Sequence, residues 1–119
     1  MGQMRIIATR DDVHAGDDPI AREFELRQDA SGAEIVAAVA DWTWLPHISG
    51  GLATWSVISR QPVAVLAQQR PVPKFFFSLQ DDDVWCFEDS VLFVHFNYHA
   101  QIDPDVVYDV LRKVRWPTR

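Results

Sequence analysis

The chain has 119 residues, enough for one domain with a hydrophobic core and too few for two. Its apolar fraction of 48% is that of a globular protein, and 17 acidic against 11 basic residues leave a net charge of −6. That balance argues against nucleic acid or an anionic membrane as partner, because both need a basic face. The single cysteine, Cys86, excludes an intramolecular disulfide.

Residues Met4 to Thr9 alternate as a strand, with Met4, Ile6 and Ala8 on one face. The polar stretch Arg10 to Pro19 is a loop rich in turn formers. Ile20 to Gln28 resumes alternation, with Phe24 and Leu26 inward and Glu23, Glu25 and Arg27 in water, so the two strands pair as a long-looped hairpin. Ser31 followed by Glu34 is a capping box, and the helix it opens buries Ile35, Val39 and Trp42, with Ala38 beside them. Pro46 disfavours a helical residue before it, so the helix is expected to end between Trp42 and Leu45.

Ala53 to Ser59 is a strand with Ala53, Trp55 and Val57 on one face. Arg60 and Gln61 form a turn, and Val63 to Gln69 returns with apolar residues on both faces, as a central strand does. Phe75, Phe76 and Phe77 form a short strand or a packed loop. Asp81 to Asp83 is an exposed turn, Val84 to Phe87 a short strand, and Glu88-Asp89-Ser90 the next turn. Val91 to Tyr98 is a strand with Val91, Phe93 and His95 opposite Leu92, Val94, Phe96 and Tyr98. Asp103 caps a last helix with Pro104 at its first position, and Val107, Val110, Leu111 and Val114 make its apolar stripe.

These elements describe a single α+β domain over residues 1–119: a mixed or mainly antiparallel sheet of five to six strands with two helices packed on one face. The element order of residues 4 to 69, an N-terminal hairpin, a capped helix and further strands, resembles a ubiquitin-like β-grasp. That is a resemblance of order, and it implies little about function.

Several clusters carry side chains capable of chemistry. Asp11, Asp12, His14, Asp17 and Asp18 have cation-binding side chains, but the spacing is not that of a calcium loop, and a solvated loop explains them. Cys86 sits between Trp85 and Phe87 and reads as a buried thiol rather than a nucleophile. His95, Asn97 and His99 alternate on one strand face. The two histidines of an extended strand stand ~13 Å apart, too far for one metal ion. No metal and no cofactor is expected.

Trp42 and Trp55 fit core faces by period, whereas Trp44, Trp85 and Trp116 do not. Trp44 opens the segment LPHISGG, where Gly50 and Gly51 permit close approach or positive φ. Together with His47 and the acidic residues Asp81, Asp82, Asp83, Glu88 and Asp89, this loop forms the first candidate surface, one for a protein partner with a basic face. The alternative candidate is a ligand or catalytic site of His95, Asn97, Tyr98 and His99 in a cleft between the second helix and the sheet. A third reading is a structural homodimer joined through the FFF run and Trp85.

The favoured function is a non-enzymatic protein-interaction domain. Small size and acidity resemble the bacterial immunity proteins that neutralise basic toxin domains. The resemblance implies a toxin partner and occlusion of its active site. With no signal-peptide core in MGQMRIIATRDD and no run of the ~18 apolar residues a membrane helix needs, a cytoplasmic location is expected.

Overall fold

The computed structural model describes residues 2–11, 20–40, 45, 52–76 and 85–113. In chain order it contains β1 (Gln3–Arg10), β2 (Ala21–Arg27), α1 (Gly32–Val39), β3 (Thr54–Ile58), β4 (Pro62–Ala67), β5 (Arg70–Phe75), β6 (Cys86–Glu88), β7 (Val91–Tyr98) and α2 (Pro104–Lys113). All strands join one mixed sheet of order β2-β1-β7-β3-β4-β5, with β6 also paired to β7. The expected α+β class holds, with one strand more than the upper estimate. Among the described residues no helix is long and apolar enough to cross a membrane.

β1 and β2 form the expected antiparallel hairpin. The last long strand, β7, then enters beside β1 in parallel and takes β3 antiparallel on its other side. Along that second side β7 changes partner. Residues 95–98 pair with β3 and residues 91–93 with β6. Ser59 joins the two: its Oγ donates to the Phe93 carbonyl at 2.6 Å and accepts from the Cys86 N–H at 2.7 Å. A hydroxyl thus serves backbone groups where one strand stops and the other begins, a place where unpaired groups would be costly.

Strand alternation sorts the side chains onto two faces. Ile6 and Ala8 lie beside Leu92 and Val94, while Trp55 and Val57 lie between Leu66 and Ala64 on one side and Tyr98 and Phe96 on the other. These residues and Ile35, Val36 and Val39 of α1 form one buried cluster. Thr54, Ser56 and Val65 point to the opposite face, and α2 covers that one. Thr54 Oγ1 donates to the Ile102 carbonyl at 2.7 Å, and Tyr108 Oη donates to the Phe75 carbonyl at 2.9 Å. The Asp105 carboxylate accepts from Arg70 at 2.9 and 3.2 Å and from Lys74 at 3.4 Å. The hydrogen bond from Arg70 is the main reason its pKa falls to about 2. The two helices therefore flank the sheet rather than share one face. The cause is Thr54 and Ser56: their buried hydroxyls demand a polar-tolerant cover, which the segment leading into α2 supplies.

Three local expectations change. α1 ends at Val39, before Trp42, with Ala40 as its C-cap. β1 extends through Arg10, which is only 2% exposed and donates from Nη1 to the Asp11 carbonyl at 3.1 Å. On α2, Val107 is buried, but Val110 is 57% exposed, because the helix leans on the β4 side and turns Val106 and Val110 outward. Trp85, without a core assignment by period, is buried in the main cluster. Trp42, Trp44 and Trp116 lie outside the described residues.

The β6–β7 hairpin turns on Asp89 and Ser90 alone, at φ 52° and 66°. Two consecutive positive φ values make this a type I′ turn, which matches strand twist but disfavours residues with a side chain. Ser90→Gly should raise stability by about 0.5–1 kcal/mol, read as a higher urea midpoint at unchanged slope.

Candidate functional site

Two places on the sheet concentrate functional side chains. The first is the β6–β7 hairpin. β6 is three residues long and pairs on one side with β7, so its side chains are only partly covered. Trp85 turns into the core, and the next residue on that face, Phe87, is 50% exposed. Beside it Glu88 and Asp89 are exposed at the turn. The hairpin therefore presents an aromatic ring with two carboxylates on a turn of defined geometry. Cys86 is partly exposed rather than buried: it lies on the face of β6 opposite the buried Trp85.

Of the partner-binding residues expected from sequence, Glu88 and Asp89 are brought together here. Trp44, His47, Gly50, Gly51, Asp81, Asp82 and Asp83 lie outside the described residues. Nothing in the sequence singles out Phe87. An alternating run predicts which face a residue takes, but not that the face ends without cover.

The second place is built where β1 and β7 run side by side. Parallel pairing sets Thr9 next to His95. Beyond Arg10 the chain stays on β7, the Asp11 N–H donating to the Phe96 carbonyl at 3.0 Å. The Asp11 carboxylate then accepts from the Tyr98 N–H at 2.8 Å through Oδ2 and from His95 Nε2 at 2.9 Å through Oδ1. A carboxylate on Nε2 requires the proton there, so in the neutral imidazole Nδ1 accepts from the Thr9 hydroxyl, 2.6 Å away. Across β7, Ser56 Oγ meets His99 Nε2 at 2.8 Å.

His95, Asn97 and His99 thus occupy one region, as alternation predicts, with Ser56 beside Asn97. Tyr98 contributes only its backbone N–H. Its ring lies on the other face against Trp55, with centroids 4.9 Å apart. Thr9, Asp11 and Ser56 come from distant segments, and local spacing gives no signal for them. Among the described residues no three His, Cys, Asp or Glu side chains gather as a metal ion would require.

The carboxylate–imidazole–hydroxyl order can pass a proton along Thr9 and His95. Its evident work is mechanical. Asp11 supplies from its side chain the acceptor that a continuing β1 would have offered to β7. Ser56 is fully buried, so its hydroxyl serves His99 and not a substrate.

Burial pushes the His99 imidazole below its ordinary value of 6.5, and the Asp11 charge offsets part of that shift. A lowered folded-state pKa means that the unfolded chain binds the proton more readily. Stability is complete above 6.5 and is lost as pH falls toward the folded value. His99→Gln should flatten the decline of the urea midpoint between neutral pH and pH ~5, because Gln can serve Ser56 without titrating.

A cavity of about 320 Å³ opens between α1 and the β4–β5 hairpin, lined by Ala33, Ala37, Ala40, Leu66, Phe75 and the stem of Arg70, among others. It belongs to the first helix and the core face, so it does not join His95 and His99. Compared with known families, curated proteins and solved structures, the chain gives no match.

Proposed function

We propose that the protein is a non-enzymatic interaction domain whose β6–β7 hairpin docks on a partner with a basic surface. The observation that carries this reading is Phe87, half in solvent, followed in the chain by the exposed Glu88 and Asp89 at the turn. A large ring with half of its surface still in solvent is only partly used by the fold, and its further burial in a complex is favourable. Aromatic anchors with a charged rim are the pattern of interface centres. The net charge of −6 attracts a basic partner during approach.

In its specific form the reading is that of an immunity protein, in which the ring and carboxylates cover the basic active site of a toxin. Small size and acidity support it. The β-grasp resemblance is also kept as a proposal. It is supported by α1 lying against the N-terminal hairpin and by β7 set parallel to β1 at the middle of the sheet.

The test is titration calorimetry against the purified product of the adjacent gene. Phe87→Ala should weaken binding by about 1–3 kcal/mol, roughly 5- to 150-fold in Kd, measured at a temperature where the variant is still fully folded. Equal affinity for the variant and the parent would remove the hairpin from the interface.

A further inference from the structure

Among the described residues the two ends of the strand order, β2 and β5, are built differently. β5 carries Pro71 and Pro73, which have no N–H to offer a further strand. β2 is seven residues long, free of proline and paired in unbroken register with β1. Among the described residues nothing pairs with its outer side.

The hydrogen-bond parity of β2 is set by its ends. Arg10 N–H donates to the Ile20 carbonyl at 3.0 Å, and Gln28 N–H to the Gly2 carbonyl at 3.2 Å. The even-numbered residues of β2 therefore face β1, and the N–H and C=O groups of Ala21, Glu23 and Glu25 face outward. The side chains of Glu23 and Glu25 share one face. Glu23 is paired with Arg5, and Glu25 stands directly across from the same Arg5 and feels its charge, so one guanidinium serves two carboxylates and the group stays net negative.

We infer that β2 is a docking edge for an extended, basic segment of the partner, which adds to the sheet as a further strand. This rests on the protein-interaction reading and names a second surface for it. Backbone pairing would supply affinity, and lysine or arginine opposite Glu23 and Glu25 would supply selectivity. A second copy of the chain is a poor occupant. In the antiparallel register centred on Phe24, which overlaps the whole strand, Glu23 of each copy faces Glu25 of the other, and like charges directly opposite destabilise.

The probe is a synthetic peptide of alternating lysine and valine, with a glutamate–valine peptide as control, followed by amide hydrogen exchange on the intact protein. The lysine peptide should slow exchange at Glu23 and Glu25 by about tenfold or more, and the glutamate peptide should not. Glu25→Pro removes an outward donor and no bond to β1. It should abolish the slowing while the inward-facing amides of Phe24 and Leu26 stay protected. If that variant unfolds, Glu25→Lys serves in its place and should weaken the lysine peptide. No slowing, equal slowing by both peptides, or slowing that appears with protein concentration alone would overturn the inference. Peptide effects at Phe87 with none at β2 would also overturn it while leaving the interaction reading in place.

Discussion

Trp55→Ala should cost about 3–5 kcal/mol, a large part of the total stability of a domain this size. Trp55 is fully buried at the centre of the core, between Leu66 on β4 and Tyr98 on β7. Alanine would leave a void between three strands whose positions are set by other pairings, so the site cannot collapse to fill it. Trp55→Phe should behave differently. The indole Nε1 is buried without a hydrogen-bond partner among the described residues. Removing that N–H recovers about 1–3 kcal/mol of desolvation cost, which offsets most of the lost ring volume. A cost below about 1.5 kcal/mol is expected for phenylalanine, from urea unfolding at pH 7. A phenylalanine variant as unstable as the alanine one would mean that the indole N–H is satisfied in solution.

Asp11→Ala should cost about 2–3 kcal/mol, although Asp11 stands outside every element and is partly exposed. The substitution strips the acceptor from the Tyr98 N–H and from His95 Nε2 at once, and the Thr9–His95 contact loses its orientation. Asp11→Asn keeps one carbonyl oxygen, and about 1 kcal/mol is expected. If the two variants are equally stable to urea, the clamp contributes through packing and not through its hydrogen bonds. The location of the loss is also defined. Exchange should quicken first at the amides of Phe96 and Tyr98, because they face the β1–β7 seam.

Much of this fold is legible in the residues one element at a time. Alternation gives the inward face of β1 and of β7, the capping box gives the start of α1, and two apolar faces mark β4 as central. Strand order is another matter. β7 enters between β1 and β3, more than 80 residues after the chain leaves β1 in the case of Thr9 and His95, and nothing in local spacing encodes that choice. The sides taken by the helices follow from it, since the face of Thr54 and Ser56 is defined only once β3 has neighbours. The same limit holds for function. His95, Asn97 and His99 share a face that their spacing reveals, whereas Asp11 and Ser56 join them only through pairing. Phe87 is apolar and in a strand, and both properties suggest burial. It is exposed because β6 is short and one-sided.

The central claim is that the β6–β7 hairpin meets a basic surface. Its most direct test is the association rate with the adjacent gene's product, measured by stopped flow at low and high salt, for the parent and for a Glu88→Lys, Asp89→Lys variant. The charge reversal should slow association about tenfold or more at low salt, with the difference shrinking as screening increases. A rate equal for both proteins at every salt concentration, with binding intact, would contradict it.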